Sequence, residues 1–273
     1  MNTVVVTAVR GRAAHLRKQL DGLDRSTAPA SRHVIVAVDD DDVISQVGNA
    51  RATVVPLHSG SPRIPMAAAR NLGAQVAIDG GAELLVFLDV DCIPSPEMLS
   101  HYQRAAVTPA HRDALLCGPV TYLSAPGRDG YDLDRLSDLV DPHPVRPAPP
   151  AGVTVVGDQY KLFWSLSFAV TVETWQHIGG FSTEYVGYGG EDTDYAQRAS
   201  AAGVGLRWVG GAHAFHQFHP VSNPPVEHLA DIVANAVTFQ RRWGWWPMQG
   251  WLDAFEQRGL ISRDRLGTPR IAG

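Results

Sequence analysis

Lysine is nearly absent from this 273-residue chain, which holds only Lys18 and Lys161. Arginine therefore carries almost all of the positive charge, and the formal net charge is −5. That balance excludes the broad basic field on which non-specific nucleic-acid binding depends, so no nucleic-acid partner is expected. A phosphate-bearing ligand would have to be held locally, by a metal ion, a few arginines or a helix N-terminus. Cysteine is scarce too. Cys92 and Cys117 fit neither a disulfide framework nor a zinc site in number or spacing, and Cys92 reads as a small core residue at a strand end. Long apolar runs are missing: no window approaches the roughly 18 residues of a membrane span. The start of the chain runs straight into Val4-Val5-Val6, without the basic segment, longer apolar run and cleavage site of a secretory signal. The expected location is cytoplasmic.

What is present suits a soluble α/β protein of one large domain, with 45% hydrophobic and 19% charged residues. Residues 4–8 are a nearly continuous β-branched run, as in a strand covered on both faces. Residues 12–23 carry Leu16, Leu20 and Leu23 at helical spacing, and 33–38 and 53–57 read as further strands. A proline-initiated, alanine-rich helix over 65–78 stops at Gly80-Gly81. The strand over 84–88 then runs directly into Asp89-Val90-Asp91. Strand–helix–strand units of this length predict a mainly parallel sheet flanked by helices, with ligands beyond the carboxyl ends of the strands. Asp39 and Asp89 both sit at such ends. Residues 124–157, rich in proline and charge, predict a long loop or partly mobile lid. Strand signals return within 163–172 and 206–209, a helix is expected over about 191–202, and the last fifty residues look helical, most clearly over 226–243.

Paired carboxylates at i and i+2 beyond a buried strand repel each other and favour a bound divalent cation. Mg²⁺ or Mn²⁺ would take their oxygens and bridge a diphosphate. The plain alternative is a polar turn closing a strand. A second acidic run follows the glycines Gly189-Gly190, as Glu191-Asp192-Thr193-Asp194. Carboxylates are favoured at a helix start by the dipole alone, but the glycines let backbone approach a ligand closely. His213, His216 and His219, spaced by three, offer a further metal ligand.

In order along residues 3–220, the chain resembles inverting glycosyltransferases of the GT-A fold. The family-2 group is the broad match, with a C-terminal half like that of the β-1,4-galactosyltransferases and chondroitin-type polymerases. The stretches that carry the resemblance are the first strand with Arg10, Val38-Asp39, Ala69-Arg70-Asn71-Leu72-Gly73, Phe87-Leu88-Asp89-Val90-Asp91, Gly179-Gly180-Phe181, Gly187-Tyr188-Gly189-Gly190-Glu191-Asp192-Thr193-Asp194 and Ala214-Phe215-His216-Gln217. The resemblance implies a nucleotide-diphospho-sugar transferase domain over 1–220 and a helical extension over 221–273. It implies that Asp39 binds the uracil–ribose end of a UDP-sugar with Arg70 nearby, and that Asp89 contacts ribose or metal. Asp91 and His216 would ligate Mn²⁺ or Mg²⁺, with His213 and His219 leaving the histidine register open. Asp192 would be the catalytic base and Glu191 would orient a sugar hydroxyl. Arg10, Tyr188, Gly189 and Gly190 would complete the substrate site. Tyr188 stands where the galactosyltransferases carry tryptophan, which keeps ring stacking but leaves the sugar undefined.

The expected reaction moves a hexose or N-acetylhexosamine to a hydroxyl of a glycan, lipid-linked or small-molecule acceptor, with one base opposite the leaving group and hence inversion. Three readings stay open for Trp243, Trp245, Trp246 and Trp251: packing, stacking on an acceptor, or a peripheral contact with the inner membrane face. A non-catalytic nucleotide-sugar or glycan-binding protein on a transferase scaffold is the main alternative. A nucleotidyltransferase is disfavoured by the missing glycine-rich loop after the first strand.

Overall fold

The computed structural model describes residues 1–47 and 52–272. Its amino-terminal half alternates β1 (Thr3–Val9), α1 (Ala13–Asp24), β2 (Arg32–Val38), α2 (Asp41–Gln46), β3 (Ala52–Leu57), α3 (Met66–Asp79) and β4 (Leu84–Leu88). β1 and β4 are buried at every residue because helices cover both faces of the sheet. The side chains of α3 fully enclosed against it are small, Ala67, Ala69, Ala74 and Ala77, with Leu72 and Val76 packed at their edge. Gly73 marks the closest approach, since a Cβ there would lie 2.4 Å from Val6 Cγ1. A larger residue would lift the helix off β1 and displace everything α3 carries.

The chain continues through β5 (Cys92–Pro94), α4 (Met98–Val107), β6 (Ala114–Cys117), β7 (Val120–Tyr122), β8 (Thr154–Gly157), β9 (Ser167–Thr171), α5 (Val172–Ile178), α6 (Glu191–Ala201), β10 (Gly205–Val209) and β11 (Ala214–His216). The eight-stranded sheet runs β3-β2-β1-β4-β9-β6-β10-β8, parallel from β3 to β4, with β9 antiparallel to both its neighbours. A separate sheet, β5-β11-β7, lies beyond the ends of the main strands. Aromatic rings lock the halves together. Phe87 on β4 stacks on Phe168 of β9 at 4.7 Å, and Phe181 stacks on Tyr195 of α6 at 4.3 Å. This cluster fixes α6 relative to the end of β4.

Two expectations are corrected here. The segment 124–157 is not loop throughout. Residues 133–139 form a 3₁₀ helix with Leu136 buried, and residues 154–157 are β8, the antiparallel edge strand beside β10. Between them Arg146 is buried against Trp164 and Trp208, about 5 Å from each ring. The β-branched run Thr154-Val155-Val156 was the strand signal, outweighed in the sequence by the prolines ahead of it. The C-terminal segment is also not wholly helical: α7 (Leu229–Trp243) and α8 (Gln249–Gln257) are followed by a hairpin of β12 (Ile261–Arg263) and β13 (Pro269–Ile271). No helix among the described residues is long and apolar enough to cross a membrane.

Candidate active site

Asp39 directly follows β2 in a left-handed conformation, with φ +46°. Its carboxylate accepts hydrogen bonds from the Ser59 hydroxyl and from the backbone N–H groups of Ser59 and Gly60. Those bonds, led by the Ser59 hydroxyl, hold its pKa below the usual carboxylate value. Arg10, at the end of β1, donates to the Ser61 carbonyl at 2.9 Å. Asp39, Arg10 and the 59–62 loop thus meet at the ends of the first three strands.

Arg70 joins the two acidic motifs. It lies on α3 with only 5% of its side chain exposed and donates to Asp89 Oδ1 at 2.9 Å and to Glu191 Oε1 at 3.0 Å. Burial alone would lower its pKa, but the two carboxylates outweigh that and hold it raised. Asp89 is further fixed through its backbone, where Gln19 Nε2 donates to its carbonyl at 2.7 Å.

Asp91 turns the other way. Its Oδ1 is buried without a hydrogen-bond partner. β11 pairs antiparallel with β5 so that His216 faces Cys92, the neighbour of Asp91, and the Gln217 N–H donates to the Asp91 carbonyl at 2.7 Å. Ligand atoms of Asp91, His216 and His219 come within 4.8 Å of one another. His213 lies outside this group, buried and bonded through Nε2 to the Thr121 hydroxyl at 2.8 Å. Asp89 is outside it as well, committed to Arg70. Arg12 and His15, which belong to none of the sequence motifs, approach Asp91 Oδ1 at 3.9 and 3.8 Å from the start of α1. Their i, i+3 spacing on one helical face was the available signal.

The second acidic run divides by role. Asp194 is wholly buried, accepting from Arg242 Nη1 and Trp243 Nε1, each at 2.9 Å, and from the Tyr185 hydroxyl. It anchors α7. Among the described residues Asp192 forms no ion pair; burial first, then the neighbouring Glu191 charge, push its pKa up to about 7. Gly189 and Gly190, at φ +87° and +92°, shape the turn into α6. Asn235 of α7 pins that turn by donating to the carbonyls of Val186, Tyr188 and Gly189. Tyr188 stacks on His228 at 4.4 Å and meets Trp251 at 5.8 Å, while 39% of it stays exposed. Of the other tryptophans, Trp246 packs in the cluster of α7 and α8, and Trp245 lies edge-on to Phe239. A cavity of about 670 Å³ behind the small sheet, lined by Ile93, Leu136 and Phe215, is bordered by none of these site carboxylates.

Solved structures share this architecture. S. aureus TarS 1–349 in complex with UDP-GlcNAc superposes with a TM-score of 0.58 at 14% identity, over 88% of this chain and 67% of that one. GalNAc-T7 with UDP, GalNAc and Mn²⁺ gives 0.54 at 14% identity, over 80% of this chain and 43% of that one. The fold is that of the GT-A glycosyltransferases. Within it, residues 155–220 match a family profile described as the N-terminal domain of galactosyltransferase. Validoxylamine A glucosyltransferase of Streptomyces hygroscopicus subsp. jinggangensis (strain 5008) is 28% identical over 87% of this GT-A chain. The protein of that name from subsp. limoneus is 26% identical over 81%. The chain spans 60% and 53% of the length of these two relatives.

Proposed function

We propose that the chain is a divalent-metal-dependent inverting glycosyltransferase that moves a hexose or N-acetylhexosamine from a UDP-sugar to an acceptor hydroxyl. The observation that carries this reading is the Arg70 bridge: one buried guanidinium holds the strand-end Asp89 and the helix-start Glu191, so both acidic motifs border one cleft.

Asp91, His216 and His219 would hold the metal. The fit rests on the orphaned, buried Asp91 Oδ1 and on the donor set, one carboxylate and two imidazoles. Mixed nitrogen and oxygen donors favour Mn²⁺ over the oxygen-seeking Mg²⁺. When bound, the cation supplies Lewis-acid charge to the departing diphosphate.

The chain's own residues supply the rest. Asp39 and Arg10 would receive the nucleoside, with the remaining lone pairs of Asp39 turned to base or ribose. Asp192 takes the proton of the acceptor hydroxyl as that oxygen attacks the anomeric carbon, a role typically worth about 10²–10⁴-fold. A carboxylate with a pKa raised to about 7 is a stronger base than a solvated one, yet remains half ionised at neutral pH. Glu191, bonded to Arg70, orients a sugar hydroxyl. Gly189 and Gly190 let backbone approach the sugar, and Tyr188 offers it a ring face. Attack from the side opposite the diphosphate gives inversion.

The names of the two Streptomyces relatives make UDP-glucose the first donor to test and validoxylamine A the first acceptor. The test is a panel of UDP-glucose, UDP-galactose, UDP-GlcNAc and UDP-GalNAc with Mn²⁺, read by UDP release with and without acceptor. Release that rises with acceptor supports transfer. Binding of UDP-sugar without release across all acceptors would make the chain a binding module.

A further inference from the structure

Tyr122 belongs to none of the sequence motifs, yet it ends β7 directly opposite His216 of β11. Its ring packs on the His216 imidazole at 4.8 Å between centroids, tilted by 34°, and His143 abuts it edge-on at 5.9 Å. The other half of the side chain is open, with 47% exposed. Tyr122 therefore has one face against a candidate metal ligand and a large part of its side chain free to meet a ligand.

The order of groups along the sheet says what would meet it. Asp39 lies at the end of β2 and the metal group beyond β4, where His216 of β11 is paired with Tyr122 of β7, so a nucleotide bound from Asp39 to the metal group brings its diphosphate to the neighbourhood of β7. The sugar, attached to the second phosphate, comes next. It must lie within one ring of the Asp91–His216–His219 group and also within reach of a hydroxyl activated by Asp192. Tyr122, seated on His216, adjoins the metal end of that space, and Tyr188 adjoins the second acidic run. Sugars present C–H faces to aromatic rings and hydroxyls to phenols.

We propose that Tyr122 contacts the transferred sugar of the nucleotide donor and helps to select it; this rests on the glycosyltransferase reading above. His143 is then a positioning residue, holding the ring from behind.

The experiment is calorimetric titration of the full chain with Mn²⁺ and either UDP or the UDP-sugar that the wild type uses, comparing Tyr122→Phe and Tyr122→Ala. Loss of one neutral hydrogen bond should weaken UDP-sugar binding about two- to tenfold in Tyr122→Phe. Tyr122→Ala should weaken it further and shift the product ratio from transfer toward hydrolysis, while both variants bind UDP alone as the wild type does. Equal losses for UDP and UDP-sugar would mean that Tyr122 acts only through His216, and the inference is then overturned. It is overturned equally if neither affinity changes. A wild type that binds UDP but no UDP-sugar would instead remove the glycosyltransferase reading itself.

Discussion

The Arg70 guanidinium donates to Glu191 at 3.0 Å, joining the helix before β4 to the helix that starts the second acidic run. Its other nitrogen holds Asp89, and the cation itself is buried. Removing it strands two carboxylates that are largely out of solvent. Arg70→Leu should destabilise the chain by about 3–5 kcal/mol, the usual range for breaking a buried pair. Arg70→Lys should lose less, since one bond survives. Urea denaturation midpoints check both.

Asp192 makes a prediction in pH. As a base it must be ionised, so kcat/KM should rise with pH and level off above about 7. Its effect on stability runs the opposite way. The folded pKa is raised above the ordinary aspartate value of 3.8, so its contribution to stability is complete below 3.8 and is lost as the pH climbs through about 7. Asp192→Asn removes that loss. The melting temperature of the variant relative to wild type should therefore increase between pH 4 and 7, then hold steady. A gap that stays constant across this range would contradict the raised pKa.

The histidines should separate by position. His216→Ala and His219→Ala should each weaken Mn²⁺ binding by more than about tenfold, since even supporting residues around a metal typically account for 10–100-fold. His213→Ala should leave Mn²⁺ affinity unchanged and lower stability instead, through its lost bond to Thr121. Manganese EPR on the four proteins reads the first effect, and thermal melting the second.

Asp194 and Asp192 share a helix but should respond differently. Asp194→Ala leaves Arg242 and the Trp243 N–H without their buried acceptor, so α7 should loosen and stability fall by about 3–5 kcal/mol. Hydrogen exchange should show the loss first in α7 and in the Val186–Gly189 turn that Asn235 holds.

Much of the fold was legible because it is written in local patterns. The β-branched runs of β1 and β2, the alanines of α3 and the strand leading into Asp89 each carry their own signal. Residues gathered by pairing across the chain were harder to read. Spacing of three could not say which histidine faces Asp91, because the answer lies in the register of β11 against β5. Tyr122 was invisible for the same reason: its neighbour His216 is reached only through the β7–β11 ladder. Arg70 was seen as a site residue, but its bridge from Asp89 to Glu191 was not, since sequence order does not reveal which carboxylates a helix will face. Prolines over 142–150 suggested mobility, yet that stretch is held by a buried cation between two indoles.

The central claim is that one cleft binds a UDP-sugar through a metal at Asp91 and transfers the sugar with Asp192 as base. The most direct test follows UDP formation from UDP-sugar, Mn²⁺ and acceptor in wild type, Asp91→Ala and Asp192→Asn, with donor binding measured in parallel. The account predicts no metal-dependent binding in Asp91→Ala. In Asp192→Asn it predicts donor binding like that of wild type and turnover reduced by about 10²-fold or more. Near-normal turnover in Asp192→Asn, or Mn²⁺-dependent donor binding that survives in Asp91→Ala, would contradict it.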